Sequence, residues 1–289
     1  MNSDITVNTA LERAAAALTE HGCDTPLLDA KVILGSIINK DALYMHVHKD
    51  EVLSDDELEL FNKAVTDRLA DRPVAYIVGE KEFYGRKFKV SEGVLIPRCD
   101  TEIAVEEAIV ASESFKDKVR ILDLCCGSGA IGLTLALEVK NSYVLLTDLS
   151  PAALNAAKEN KDALNAENAA ILKSDLFEEL EGAILDIIVS NPPYVTQEEM
   201  YALPADISKW EPHEALFGGS DGLSFYREIV PEAKAHLCEN GVLILEVGSY
   251  QAADVKALMQ KHGYCDIKIL QDLSGLDRVV TGKVKKEEK

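Results

Sequence analysis

The chain has 289 residues, with 30 Lys and Arg against 50 Asp and Glu, for a formal charge of -20. Hydrophobic residues make up 47%, enough for a packed core, which excludes a disordered chain. The acidic balance argues against a broad electrostatic grip on DNA or RNA, although not against a local basic groove.

At roughly 150 residues per domain, the length predicts one large domain or two smaller ones. The start, Met1-Asn-Ser-Asp-Ile-Thr-Val7, lacks the basic and apolar regions of a signal peptide. No run approaches the roughly 20 apolar residues of a membrane helix. The expectation is a soluble, cytoplasmic protein with no membrane partner. Six cysteines (Cys23, Cys99, Cys125, Cys126, Cys238 and Cys265) form no Cys-x-x-Cys pair and have no His partners at zinc spacing. They read as reduced thiols, and no metal is expected.

The first seventy residues read as helical. Leu11–Leu18 is Ala-rich, with Gly22 as C-cap. Residues 26–38 carry Leu27, Leu28, Val32, Ile33 and Ile37 at helical spacing. Ser54-Asp-Asp-Glu57 fits a capping box for a helix reaching about Leu69 and stopped by Pro73. His46-Val-His48 lacks a third ligand nearby and reads as ordinary surface histidine. Tyr76-Ile-Val78, Phe83-Tyr-Gly85 and Phe88-Lys-Val90 have strand composition with turn residues between them, so a β-hairpin is expected within 74–98.

From residue 99 onward strand and helix patterns alternate. Strands are predicted at 119–124, 143–147, 169–173, 185–190, 242–247, 266–270 and 278–281. Helices are predicted at 101–113, 129–138, 151–164, 223–237 and 250–262. Alternation of this kind implies an α/β domain with a mostly parallel, doubly wound sheet. The last two strands have no helix between them, which predicts an antiparallel final strand. Boundaries follow at 1–73 for a helical bundle, 74–98 for the hairpin linker and 99–283 for the α/β domain. A frayed tail is expected at the end, with 284–289 disordered. The segment 195–222, rich in Pro, Gly and acid, reads as a long functional loop without regular structure.

Three features carry chemistry. Gly127, Gly129 and Gly132 make a G-x-G-x-x-G turn between a strand and a helix, where backbone can approach a ligand at a helix N-terminus. Asp148 ends the next strand and is placed either to accept bonds from both ribose hydroxyls or to cap the following helix, with Ser150 the better cap. Asp123 lies in the strand before the turn. A carboxylate there would repel a pyrophosphate but suit a cationic amino group, which favours S-adenosylmethionine over a dinucleotide. Asn191-Pro-Pro-Tyr194 follows the strand 185–190, at the strand end where α/β sites form.

The tetrapeptide suits a planar NH2 group. The Asn191 side-chain oxygen and the Pro192 carbonyl would each accept one N–H, with Pro193 helping to fix the chain. The Tyr194 ring would stack on the group. Methyl transfer then needs mainly proximity and alignment. Asp175 is placed either to bond an adenine amine or to cap a turn. Competing readings are a nucleic-acid amino-methyltransferase, a non-enzymatic nucleotide-binding module and an NAD-dependent dehydrogenase.

The sequence resembles the HemK/PrmC family of protein-(glutamine) methyltransferases nearly end to end. The resemblance covers residues 72–79, 82–85 and 94–102, the glycine turn and Asn191-Pro-Pro-Tyr194, then 211–223, 246–251 and 272–278. It implies a Rossmann-like class I S-adenosylmethionine-dependent methyltransferase domain with a seven-stranded sheet, preceded by a helical bundle of about five helices and a β-hairpin. It implies S-adenosylmethionine as donor and, as acceptor, the glutamine of the Gly-Gly-Gln loop of class-1 peptide chain release factors. Carried over by position, cofactor contacts are Cys125, Cys126, Gly127, Ser128, Gly129, Asp148, Asp175, Leu176 and Asn191, to which Asp123 is added from the residues. Substrate contacts are Asn191, Pro192, Pro193 and Tyr194, with catalysis assigned to Asn191, Pro192 and Tyr194. Direct nucleic-acid binding is not expected. Cys125 stands where the family usually has glycine and is expected to fit without positive φ. Cys99 stands where the family often has proline.

Overall fold

A computed structural model describes residues 5–285. The chain divides into two units, residues 1–80 with 204–210, and residues 81–203 with 211–289.

The first unit is built on helices Val7–His21, Pro26–Ile38, Ala42–Val47, Asp55–Leu69 and Val74–Val78. Thr6 and Ser54 cap two of them, Ser54 through the expected capping box, and Gly22 ends the first at φ 90°. Leu18, Ile33, Leu34 and Phe61 fill the core. Two differences from the sequence reading arise here. Tyr76-Ile-Val78 is helical rather than extended: Pro73 presets the entry, Gly79 closes the turn at φ 79°, and Val74, Ile77 and Val78 reach the core at helical spacing. The helix Ala42–Val47 escapes a pattern search because it is one and a half turns long; Asp41 starts it by accepting from the Tyr44 amide at 2.7 Å.

Residues 204–210, far along the chain, belong to this unit and include a turn of helix at Ala205–Ser208. The Asp71 carboxylate accepts from Lys209 Nζ at 2.6 Å and pairs with His21 at 2.9 Å, and these partners hold it below the usual carboxylate range. The Trp210 indole donates to the Ala70 carbonyl at 3.3 Å, with the Arg72 guanidinium 5.5 Å from the ring centre. The segment 195–222 therefore does not lack regular structure. It holds short helices at Gln197–Ala202, Ala205–Ser208 and His213–Leu216, the first capped by a Thr196/Glu199 box.

The second unit opens with the expected hairpin, β1 (Glu80–Phe83) and β2 (Arg86–Lys89). Tyr84 and Gly85, at φ 50° and 69°, form its turn rather than extending a strand. Seven strands follow: β3 (Val119–Leu124), β4 (Ser142–Asp148), β5 (Ala169–Lys173), β6 (Leu185–Ser190), β7 (Leu237–Glu246), β8 (Tyr264–Gln271) and β9 (Asp277–Val284). Their order is β5-β4-β3-β6-β7-β9-β8, with β9 antiparallel to both neighbours. Helices Glu102–Ser112, Ala130–Glu138, Pro151–Leu164, Ser224–His236 and Ala252–Lys261 accompany the sheet.

All six residues of β6 are buried, as a strand covered on both faces requires. Strand β9 runs through Lys283 and Val284, which pair with β7 and β8, so Val284 is not part of a tail as expected; the expected tail at 286–289 lies outside the described residues. The strand order reverses between β3 and β6. In that register Leu124 sits beside both Thr147 and Ser190, so the chain leaves β3, β4 and β6 at one edge, where α/β folds place ligands.

Candidate active site

The turn after β3 is held by backbone and by two carboxylates. The Cys126 amide donates to the Thr147 carbonyl at 2.9 Å, and the Gly129 amide to the Cys126 carbonyl at 2.8 Å. Gly127 and Gly129 take φ 55° and 81°. Cys125 also takes a positive φ, 61°, contrary to the expectation that it would avoid one. The neighbouring bonds impose the glycine-like conformation on it, at a cost of roughly 1–2 kcal/mol.

Asp123 is fully buried beneath this turn. Its Oδ2 accepts the Gly132 amide at 2.7 Å, while Oδ1 has no partner. A Cβ on Gly132 would lie 2.8 Å from that Oδ2, so the third glycine is needed for close packing. Burial pushes the Asp123 carboxyl up to about 8. The residue stands behind the turn, and its expected contact with a ligand's amino group gives way to a part in holding the turn.

Asp148 ends β4. Its Oδ2 accepts the Gly127 amide and its Oδ1 the Ser150 amide, both at 2.9 Å. Ser150 caps the next helix by accepting from the Ala153 amide at 3.4 Å, as the better placed of the two. Burial raises the Asp148 carboxyl, and the backbone donors oppose this. Asp175 is exposed after β5, and none of the described residues donates to its side chain. Leu176 follows at φ 44°, with the Ser174 hydroxyl donating to its carbonyl at 2.8 Å.

The tetrapeptide after β6 is braced from remote segments. Asn191 Nδ2 donates to Thr101 Oγ1 at 3.4 Å. No described residue donates to its Oδ1. Gln251 Nε2 donates to the Tyr194 carbonyl at 2.8 Å. The Val195 amide donates to Leu216, and the Gly218 amide returns to Val195. A Cβ on Gly218 would stand 2.6 Å from Tyr194 Cα, and one on Gly222 2.3 Å from the Tyr194 carbonyl. Pro192 is buried. Tyr194 packs toward the core beside Glu246, and burial raises its hydroxyl.

These elements enclose a cavity of about 550 Å³. Cys125, Gly127, Asp148, Asp175, Leu176, Asn191 and Pro193 line it. Cys126, Ser128, Gly129, Pro192 and Tyr194 do not, nor does Asp123; the turn residues among them support the lining from behind. Leu149–Ala153 and Phe225 also line it, and two segments that the sequence reading did not name as site residues join the walls, Gly93–Leu95 and Pro212–Ala215, the second inside the stretch read as a functional loop. Glu211 ties them together, accepting from the Ile96 amide at 3.4 Å and from Arg98 at 2.5 Å. Both segments lie in or beside stretches that carry the family resemblance, the one available signal. The lining contains no Lys, Arg or His; its charged groups are Asp148, Asp175 and Glu214. Such walls suit a ligand with hydroxyls and amines and disfavour a phosphorylated one.

Comparison with known proteins agrees with this geometry. Residues 9–79 match the PrmC N-terminal domain, and residues 107–207 the methyltransferase small domain. A release factor glutamine methyltransferase of Clostridium botulinum is 37% identical over 89% of this chain and 91% of its own. One from Geobacter sulfurreducens is 36% identical over 96% and 97%. The chain belongs to the release factor glutamine methyltransferase family. It is therefore an enzyme, an S-adenosylmethionine-dependent methyltransferase.

Solved structures support the fold. A Pyrococcus furiosus methyltransferase covers 79% of this chain and 96% of its own at TM-score 0.52 and 18% identity. The human Mettl16 catalytic domain bound to an RNA hairpin covers 84% and 85% at TM-score 0.54 and 15% identity. At such identity they show the class I fold alone. No described helix is long and apolar enough to cross a membrane.

Proposed function

We propose that the chain methylates the side-chain amide nitrogen of the Gly-Gly-Gln glutamine in class-1 peptide chain release factors, in the cytoplasm, in support of translation termination. The observation that carries this is the presence of Asn191 and Pro193 in the same cavity wall as Gly127 and Asp148. An acceptor for an amide and a cradle for a nucleoside thus share one space.

The cavity fits S-adenosylmethionine. Each Asp148 oxygen holds one backbone N–H and keeps lone-pair capacity for a ribose hydroxyl. Asp175 is open to an adenine amine. The acidic, phosphate-averse lining tolerates a sulfonium. When bound, the cofactor supplies a methyl carbon activated by that sulfonium, and transfer leaves S-adenosylhomocysteine.

The protein's own contribution is orientation. Amide nitrogen is a poor nucleophile because its lone pair is delocalised. Asn191 Oδ1, which no described residue donates to, would accept one N–H of the substrate amide; the carbonyl of Pro192, a residue that lies between the lining residues Asn191 and Pro193, would accept the other once the substrate is seated. Gripping both protons directs the lone pair toward the methyl carbon. Once methylated, the amide nitrogen would be strongly acidic and would pass its extra proton to water, so no strong protein base is needed. Tyr194 flanks the acceptor residues, and the short helices at 197–202 and 213–216 are assigned to the rim around the release-factor loop.

Mass spectrometry of a release-factor digest after incubation with enzyme and donor tests the proposal. A gain of one methyl on the Gly-Gly-Gln glutamine is expected, with no transfer to DNA or ribosomal RNA. Methylation of nucleic acid instead would overturn it.

A further inference from the structure

Behind the tetrapeptide lies a buried carboxylate that the mechanism above does not use. Glu246 closes β7 and is 2% exposed. Ser190 pairs with Leu245 across β6 and β7, so the next residues along, Asn191 and Glu246, lie side by side at this edge of the sheet, where Glu246 still pairs with Val279 of β9. Thr101 enters from the turn Cys99–Thr101 and is 4% exposed. Its Oγ1 receives Asn191 Nδ2 at 3.4 Å. The Thr101 and Tyr194 hydroxyls both favour the charged form of Glu246, while its Oε2 has no hydrogen-bond partner. Buried carboxylate oxygens without partners are costly and call for an explanation.

Donor and acceptor roles are constrained here. Asn191 has an oxygen that accepts and an NH2 that donates. Amide capture requires the oxygen to face the substrate and the NH2 to face the protein. A threonine hydroxyl is ambivalent: it accepts from the NH2 only if its own proton goes elsewhere. A carboxylate takes that proton and cannot return one. With a donor in place of the carboxylate, the hydroxyl proton would turn toward Asn191 and favour the reversed amide.

We propose that Thr101 and Glu246 are positioning residues that fix the orientation of the Asn191 amide through the chain Asn191 Nδ2–H to Thr101 Oγ1–H to Glu246. The use made of that orientation rests on the function proposed above; the relay itself does not. Burial lifts the Glu246 carboxyl to about 7. Asp100 adds to the lift, and Arg278 opposes it along with the two hydroxyls. These groups come from the Cys99–Thr101 turn, from β9 and from the tetrapeptide; Tyr226, from the helix Ser224–His236, also faces Glu246 and donates to its backbone carbonyl at 2.8 Å. Protonated Glu246 becomes a donor and loses its hold on the Thr101 proton. The relay is therefore set above neutral pH and relaxed below it.

Two readouts test this. The first is NMR of the Asn191 side-chain NH2 in the full chain, assigned by its disappearance in Asn191→Asp. We expect these resonances to titrate with a midpoint near 7 in the wild type and to lose that titration in Glu246→Gln. The second is kcat for a release-factor substrate, alongside S-adenosylmethionine affinity. Thr101→Val should lower kcat about 10- to 100-fold, in the range for residues that orient a functional ligand, with cofactor affinity within about twofold. Thr101→Ser should restore most of the rate. A pH-invariant Asn191 NH2, or Thr101→Ser as slow as Thr101→Val with both folded, would overturn the relay. If the wild type leaves the release factor unmodified while the Asn191 titration is observed, the relay stands and the substrate assignment falls.

Discussion

The glycine turn and the Asn-Pro-Pro-Tyr loop share one cavity but are held in opposite ways. Bonds from within and beside its own strand and helix set the turn: Asp123 to Gly132, Asp148 to Gly127 and Cys126 to Thr147. The loop depends on Thr101 and Gln251, 90 and 57 residues away along the chain, and on close packing against Gly218 and Gly222, which are nearer in sequence. Local bracing makes the turn tolerant, which is why it keeps its shape with a cysteine at φ 61°. Remote bracing makes the loop sensitive to changes at positions that never touch a ligand.

The largest effect should come from the loop itself. Asn191→Ala is expected to lower kcat by about 10²–10³, by analogy with loss of one aligned donor from an oxyanion hole, while cofactor affinity changes little. Asp148→Ala should do the reverse and weaken mainly the cofactor. Equal losses of binding and rate in Asn191→Ala, read by titration and steady-state kinetics, would erase the division of labour between the two regions.

Gly218→Ala probes the remote brace. The added carbon meets Tyr194 Cα at 2.6 Å and the Pro193 carbonyl at 2.7 Å, atoms that are backbone and cannot swing aside. A stability loss of about 1–3 kcal/mol is expected from overpacking, together with a fall in kcat larger than any change in cofactor affinity. Wild-type kinetics in a folded Gly218→Ala would show that the loop is not held from this side.

The turn should reveal itself through pH. Burial raises the Asp123 carboxyl from 3.8 to about 8. The folded state thus binds more protons than the unfolded state between those values, and stability falls as pH rises through that window. Asp123→Asn keeps an oxygen for the Gly132 amide and removes the titration. The fall in Tm from pH 5 to pH 9 should shrink in this variant, as scanning calorimetry would record. An unchanged fall would mean that Asp123 is not the source.

The smallest effect concerns Cys125. Glycine relieves its left-handed strain but loses more entropy on folding, so Cys125→Gly should raise stability by only about 1 kcal/mol or less. Cys125→Ala retains the strain and should gain nothing. Denaturant midpoints for the pair decide the matter; a stabilised alanine variant would place the cost in the thiol instead.

Much of this was legible before any coordinates. Strands 119–124, 169–173 and 185–190 and helices 26–38 and 151–164 fall where their patterns put them, because burial on both faces or one dictates the spacing of apolar residues. The antiparallel last strand followed from the missing crossover. Short elements were not legible: helices 42–47 and 74–78 contain too few residues for a period to emerge.

Chemistry carried in contiguous residues, the glycine turn with its two acids and the tetrapeptide, was determined by the sequence, since its spacing is fixed by covalent geometry and by the strand ends that carry it. What only the tertiary structure decided is which side chains face the cavity. Asp123 lies behind the turn and Tyr194 points inward to the core, while Pro212–Ala215 joins the wall. The pairing of Thr101 with Asn191, 90 residues apart, belongs to the same class. Such facts depend on sheet order and on how loops pack over its edge, and no local pattern of hydrophobic or polar residues encodes a contact between segments that meet only after the sheet has formed.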